Sequence, residues 1–128
     1  MYLYLRPGLY DFLDALYEKF ELVLFNNGSM NFTGPIVNQL LDNAPSVKKD
    51  YFSYILNKEH CSVNDNGNEI KNIDLFCNFD SNRDIEQCLI IDNNIYCFQK
   101  QLTNGLLIEK YEGQEQDDWL NALKEYIL

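Results

Sequence analysis

Apolar positions along this chain fall into two patterns: short continuous runs, which are typical of strands, and the three-to-four spacing of helices. The run that ends in Leu22-Val23-Leu24-Phe25 has little alternation, as expected for a parallel strand covered on both faces. Cys88-Leu89-Ile90-Ile91-Asp92 is the clearest strand, an apolar run that ends in a carboxylate. In all, the runs predict strands over Met1–Leu5, Glu21–Phe25, Tyr51–Leu56, Cys88–Asp92 and Gly105–Ile108.

Helical spacing predicts three helices. Arg6-Pro7-Gly8 begins the first, because proline fits a first turn, where its missing N–H costs nothing. The second spans Asn31–Asp42 and the third Asp117–Leu128, whose aspartates suit the positive end of a helix. The predicted buried faces are Leu9, Phe12, Leu13, Leu16 and Phe20 in the first helix, Phe32, Ile36, Val37, Leu40 and Leu41 in the second, and Trp119, Leu120, Leu123 and Ile127 in the third.

An Asn-Gly pair at Asn66-Gly67, between two short β-like runs, predicts a hairpin that joins Cys61–Val63 to Glu69–Lys71. Residues 43–50 form a polar loop in this prediction, and residues 72–87 are irregular. Strands and helices alternate elsewhere, which predicts an α/β fold with a mainly parallel sheet. The 128 residues suffice for one domain, 1–128, and are too few for two.

The charge balance narrows the class of partner. Ten Lys and Arg residues oppose 20 Asp and Glu residues, so the net charge is −10 and nucleic-acid binding is disfavoured. An acidic surface favours basic partners, although solubility alone also explains it. No apolar run reaches the ~18 residues of a membrane span, and the amino terminus lacks the pattern of a secretory signal.

The cysteine pattern argues against a zinc site. No two cysteines have CxxC spacing, and only His60 could join them as a nitrogen ligand. All four are expected to be reduced, which indicates an intracellular or organellar compartment. They are Cys61, Cys77, Cys88 and Cys97.

Polar side chains follow three of the predicted strands, where α/β proteins place their ligands. They are Asn26-Asn27, Lys71 and Asp92-Asn93. An aspartate after an apolar run is also a common turn former, so spacing alone leaves a structural role open.

Five stretches of the sequence follow the order and spacing of one known domain: YLRPGLYDFLDALYEKFELVLFNN, YFSYILNKEHC, IKNI, CLIIDN and YEGQEQDDWL. They resemble the domain shared by the carboxy-terminal-domain (NLI-interacting-factor-like) phosphatases of the haloacid dehalogenase superfamily. Met30, KEHC and the late EGQEQDD stretch are most similar to the presequence-receptor branch found in the mitochondrial inner-membrane translocase. The resemblance implies a three-layer, dehalogenase-like fold with a small hairpin insertion, and a location at the mitochondrial inner membrane.

The resemblance also implies a chemistry that this sequence carries only in part. In the family, the first Asp of a DxDx(T/V) strand attacks phosphorus, a Ser or Thr and a Lys hold the phosphoryl group, and an Asp-Asp or Asp-Asn pair helps to bind Mg²⁺. Lys71 matches the lysine, Asp92-Asn93 the metal-binding pair, and Asn26 the hydroxyl position. The DxDx(T/V) motif does not occur in these 128 residues; the family would place it before Arg6.

The domain is therefore predicted to be degenerate, amino-terminally truncated and non-catalytic, with no metal and no cofactor. Lys71 and Asp92 are expected to pair with each other or with backbone groups. The central strand that carries the motif in the family would be replaced by Met1–Leu5 or by a partner chain through strand addition, or else the sequence is that of an incomplete chain.

Three functions remain open. The leading hypothesis is an accessory or scaffold subunit of a mitochondrial inner-membrane complex, bound to other protein subunits, without a transmembrane segment of its own. The second is recognition of basic presequence peptides in mitochondrial protein import, with the peptide docked on Glu112, Glu115, Asp117 and Asp118. The third is an Mg²⁺-dependent protein phosphatase whose nucleophile motif lies outside this sequence.

Overall fold

Helices and short strands alternate along residues 4–45, 50–75 and 83–128, the parts of the chain that the computed structural model describes. The elements are α1 (Leu9–Tyr17), β1 (Leu22–Phe25), α2 (Met30–Asp42), β2 (Phe52–Leu56), β3 (Ser62–Val63), β4 (Glu69–Ile70), β5 (Ile90–Asp92), β6 (Gly105–Leu107) and α3 (Trp119–Ile127), with 3₁₀ segments at Lys58–His60, Ile85–Gln87 and Ile95–Asn104. They divide between a first compact unit, Met1–Lys58 with Tyr111–Leu128, and a second, Glu59–Lys110.

The first unit contains one parallel strand pair and the three helices. β1 pairs with β2, and the register runs from Leu22 opposite Phe52 to Phe25 opposite Leu56, with one irregularity after Leu22. Helices α1 and α3 pack against each other. Tyr51, just before β2, is almost fully buried, and its hydroxyl donates a 2.7 Å hydrogen bond to Asp14 Oδ1 on α1.

In each of the three predicted helices, one residue expected on the buried face is exposed instead. Phe20 is exposed because α1 ends at Tyr17, which places Phe20 beyond the helical face. Trp119 is exposed because it is the first residue of α3. Phe32 is exposed because its ring lies against the turn at Gly28 rather than in the core, and Thr33 is buried instead.

The start of α1 also differs from its prediction. Gly8 has a left-handed φ of 81° and forms the N-cap, so Pro7 lies before the helix instead of in its first turn. Helix α2 begins one residue earlier than predicted, at Met30, and contains Pro35.

The second unit contains two more strand pairs. β3 and β4 form the predicted antiparallel hairpin, and β5 pairs with β6 in parallel, from Ile90 opposite Gly105 to Asp92 opposite Leu107. Its core consists of Ile73, Ile90 and Phe98, with Ile85 and Cys88 against them. Sequence periodicity missed the long 3₁₀ segment that supplies Phe98, because two of its residues have non-helical backbone angles that interrupt any regular spacing.

The α/β class is confirmed by these helices and parallel pairs, while a three-layer architecture and a single domain over 1–128 remain predictions. The predicted first strand lies partly outside the described residues, and Tyr4 and Leu5 are not in a strand. Cys77 and parts of the predicted loop and irregular regions also lie outside the described residues. Cys61, Cys88 and Cys97 are free thiols, as predicted. Within the described residues, no helix is long and apolar enough to span a membrane.

Candidate functional site

Asp92 and Lys71 form a nearly buried ion pair at the carboxyl end of β5. Lys71 Nζ lies 2.7 Å from Asp92 Oδ2, and their side chains are only 9% and 10% exposed. The other oxygen, Oδ1, accepts a 2.9 Å hydrogen bond from the backbone N–H of Asn94. Both carboxylate oxygens of Asp92 therefore accept from protein donors, and the predicted pairing of Lys71 with Asp92 is present.

Backbone pairing fixes the position of Lys71. The residue directly follows β4, and its N–H donates a 2.8 Å hydrogen bond to the carbonyl of Cys97. Ile70, which precedes it, and Ile73, two residues after it, are almost completely buried, and Lys71 is buried with them. A buried ammonium is costly without a counter-charge, and Asp92 supplies it.

Cys97 lies next to this ion pair, and the sequence did not predict that position. Its thiol is buried, and burial is the main cause that raises its pKa to about 11. The negative charge of Asp92 and the hydrogen bond to Asp92 also raise this pKa, whereas the positive charge of Lys71 lowers it. Burial likewise raises the pKa of Cys61. Both thiols stay protonated near neutral pH and are poor nucleophiles, because only the thiolate reacts.

The described residues offer no preformed metal centre. No group of three or more His, Cys, Asp or Glu side chains among them is placed to hold an ion. Asn93, the second member of the predicted pair, is exposed. This arrangement gives Asp92 a structural role in the ion pair and in the turn that follows β5.

Asn26 ends β1 in the first unit. Its N–H continues the ladder to β2 by a 2.9 Å hydrogen bond to the carbonyl of Leu56, and its side-chain Oδ1 accepts from the N–H of Gly28. The amide thus closes its own turn as an acceptor, as asparagine commonly does.

The four predicted acidic docking residues differ in their surroundings. Glu112, Glu115 and Asp118 are exposed, whereas Asp117 accepts two hydrogen bonds from Arg6, of 2.8 and 2.9 Å. These hydrogen bonds hold the pKa of Asp117 below its ordinary value. Arg6 also lies 5.5 Å from the ring centroid of Tyr111, so the guanidinium ties the residues before α1 to those before α3.

The outward face of α3 carries aromatic side chains beside these acids. Trp119, Ala122 and Tyr126 are exposed and follow the spacing of one helical face. We call this face, with the exposed acids Glu115 and Asp118 that precede it in the chain, the α3 surface. It combines apolar area with negative charge.

Comparison with known proteins gives the family over the whole chain. The profile of the NLI interacting factor-like phosphatase family matches residues 1–128. The chain is 32% identical over 122 residues to the mitochondrial import inner membrane translocase subunit TIM50 of Candida albicans, covering 95% of this chain and 24% of that protein. It is also 32% identical to TIM50 of Eremothecium gossypii, over 95% of this chain and 22% of that protein.

A phosphatase-like relative is similar at lower identity. CTD small phosphatase-like protein 3 of Caenorhabditis elegans is 28% identical over 127 residues, which are 99% of this chain and 40% of that protein. The chain thus spans about a quarter of the TIM50 relatives and less than half of this one. Similarity to several TIM50 proteins supports the predicted location at the mitochondrial inner membrane.

Proposed function

The chain belongs to the NLI interacting factor-like phosphatase family, as the resemblance predicted, and we propose that within it these residues form a non-catalytic protein-binding module. The module would act as an accessory or scaffold subunit of a multiprotein complex at the mitochondrial inner membrane. The observation that carries this proposal is that β1 pairs with one strand only within residues 4–45, 50–75 and 83–128.

The chemistry of the site supports a non-catalytic role. The family's reaction requires the aspartates of DxDx(T/V), so these 128 residues do not supply its nucleophile by themselves. Asp92, which would share a metal with that nucleophile, is held by Lys71 and by the Asn94 N–H. An Mg²⁺-dependent phosphatase activity of the full-length protein that Asp92→Asn abolishes would overturn this part of the proposal.

Strand β1 has the composition of a central strand and the pairing of an edge strand. All four of its residues are apolar and only half-buried, and among the described residues β2 is its one strand neighbour. Because the Asn26 N–H points to β2, the alternation of a strand directs the Val23 N–H to the opposite edge. Apolar edges without charge or proline readily accept another strand.

Strand β5 shows the same feature in the second unit. Among the described residues it pairs with β6 alone, and the Ile108 N–H donates to the Asp92 carbonyl on that side. The alternation then directs the N–H and C=O of Ile91 to the other edge. Both strands thus support a partner that contributes an extended, apolar segment by strand addition.

Amide hydrogen exchange at residue resolution tests this proposal on the chain with and without the isolated inner-membrane complex. Strand addition is expected to slow exchange at Val23 and Ile91, which face the edges, and to leave Leu24 and Asn26, which face β2, unchanged. Stable association accompanied by unchanged exchange at Val23 and Ile91 would contradict strand addition. A chain that stays monomeric and does not join the complex would contradict the scaffold role itself.

The α3 surface favours a second candidate, recognition of a basic, amphipathic targeting peptide. Apolar area from Trp119 and Tyr126 would receive the apolar face of the peptide, and Glu115 and Asp118 its cations. Because Asp117 is paired with Arg6, we place it in the support of this surface rather than in the contact.

A titration with a fluorescent basic peptide at low and high salt tests the second candidate. Glu115→Gln together with Asp118→Asn should weaken binding at low salt, and the difference should shrink at high salt because screening removes it. Asp65→Asn, an exposed change in the other unit, is the matched control. Equal binding by the variant and the control would exclude this surface.

A further inference from the structure

The loop between β3 and β4 contains an exposed Asn-Gly pair, Asn66-Gly67. Hydrogen bonds in this loop centre on Asn64, whose Oδ1 accepts from the N–H groups of Asn66 and Asn68, both at 2.9 Å. Its carbonyl accepts from the Gly67 N–H at 3.0 Å. The side-chain amide of Asn66 takes part in none of these hydrogen bonds, and both Asn66 and Gly67 are exposed.

The chain contains two further Asn-Gly pairs, and the structure restrains both of them more tightly. Asn104 donates its side-chain N–H groups to the carbonyls of Ile85 and Cys88, at 2.8 and 2.9 Å. The α-carbon of Gly105 lies against the ring of Phe98, where an added Cβ would be only 2.1 Å away. Any rearrangement of the Asn104 side chain therefore has to break two hydrogen bonds beside a closely packed glycine.

The pair Asn27-Gly28 is restrained through its glycine. The Gly28 N–H donates to Asn26 Oδ1, and the Gly28 carbonyl accepts from the Lys58 N–H at 2.9 Å. The Phe32 ring also lies close to the Gly28 α-carbon. Around Gly67, by contrast, an added Cβ would meet no atom within 4 Å, and φ is 83°.

From this contrast we propose that Asn66 is a site of spontaneous deamidation, a modification independent of the proposed function. The Gly67 backbone nitrogen attacks the side-chain Cγ of Asn66, and an N–Cγ bond forms as the Cγ–Nδ2 bond breaks. The proton lost from the Gly67 nitrogen balances the one taken up by the departing ammonia. Water then opens the cyclic imide at either carbonyl and leaves aspartate or isoaspartate.

Opening of one hydrogen bond controls the first step. The Gly67 N–H must leave the Asn64 carbonyl before its nitrogen can attack, and exposed loops open locally at low cost. A partner that closes over the hairpin would therefore slow the reaction.

The product changes the loop in two ways. Either form adds a negative charge to a chain of net charge −10, and isoaspartate also inserts a methylene into the backbone. Each strand of this hairpin contributes only two residues to the pairing, so an extra backbone atom in the loop disturbs a large share of it. Lys71 follows β4 directly and is the nearest site residue to receive the change.

Peptide mapping by mass spectrometry during incubation of the folded chain in mildly alkaline buffer tests the proposal. Replacement of an amide NH₂ by OH should accumulate at Asn66 roughly tenfold faster than at Asn104, whose two side-chain hydrogen bonds must first break. Isoaspartyl methyltransferase labelling should mark the same peptide, and Asn66→Gln should abolish the early signal there.

The unfolded chain is the matched control, because denaturant removes the structural differences among the three Asn-Gly pairs. Their rates should then converge. Equal rates at the three sites in the folded chain, or faster reaction at Asn27 or Asn104 than at Asn66, would refute the assignment.

Discussion

Replacing Asp92 by Asn should destabilise the chain strongly even though the two side chains have the same shape. The amide keeps an acceptor for the Asn94 N–H, so the loss falls mainly on the ion pair with Lys71, with a smaller effect on the hydrogen bond between Cys97 and Asp92. Removing one partner of a buried pair costs about 3–5 kcal/mol, because the other charge stays buried without compensation. Since both side chains retain some exposure, we expect about 3 kcal/mol.

The charge can also be removed from the other side. Lys71→Met keeps an apolar stem of similar length and leaves the Asp92 carboxylate with the Asn94 N–H, so it should also destabilise. In the double variant neither charge is left unpaired, and the loss should fall short of the sum by roughly 1–3 kcal/mol. This non-additivity separates an ion pair from two independent packing contacts.

Urea and thermal unfolding followed by far-ultraviolet circular dichroism measure these effects. For a chain of 128 residues, a 3 kcal/mol loss corresponds to a fall in Tm of roughly 10 °C. Fluorescence alone would not suffice, because the single tryptophan, Trp119, lies in the first unit. Lys100→Met and Asp65→Asn, exposed changes in the second unit, should stay within about 0.5 kcal/mol. Asp92→Asn within the same limit, or fully additive single variants, would refute a structural ion pair.

Three further predictions concern other contacts. The hydrogen bonds from Arg6 lower the pKa of Asp117, so the contribution of Asp117 to stability should be present above its ordinary pKa of 3.8 and lost as the pH falls through its folded pKa. Asp117→Asn should flatten this part of an acid-unfolding curve. An unchanged curve would contradict the pairing. Cys97 is buried and its pKa is about 11, so it should be alkylated more slowly than the other described cysteines in the folded chain. In urea it should react at a rate similar to theirs, and peptide mapping would show both results. Gly105→Ala should cost about 1–3 kcal/mol of unfolding free energy by overpacking the core. Gly34→Ala should cost nothing, because an added Cβ there meets nothing within 4 Å. Equal effects of the two substitutions would contradict the close approach at Gly105.

Local patterns predicted the elements of this fold better than the surroundings of its side chains. Continuous apolar runs located β1, β2, β5 and β6 to within about two residues, a boundary error that is usual for such reasoning. The Asn-Gly turn located the hairpin, because that dipeptide favours a tight turn whatever surrounds it. Phe20 and Trp119 were misplaced because helical periodicity describes a helix interior and says little beyond its ends.

Contacts between distant parts of the chain could not be predicted in the same way. The hydrogen bonds from Arg6 to Asp117 join residues 111 positions apart, and nothing in either neighbourhood identifies the other. The contact of Cys97 with Asp92 depends on a 3₁₀ segment with no regular period. The pair of Lys71 and Asp92 was predictable only because a family resemblance placed both residues in one site.

That pair shows why retained site residues are weak evidence for retained catalysis. The resemblance assigns Lys71 to a phosphoryl group and Asp92 to Mg²⁺, but in this structure the two side chains neutralise each other at 2.7 Å. Loss of either would bury an uncompensated charge, so folding stability alone is sufficient to keep both. Asn26, which the resemblance places at the family's hydroxyl position, has an uncharged partner and stabilises its own turn. The residues that look most catalytic are thus the ones whose loss would most destabilise the fold.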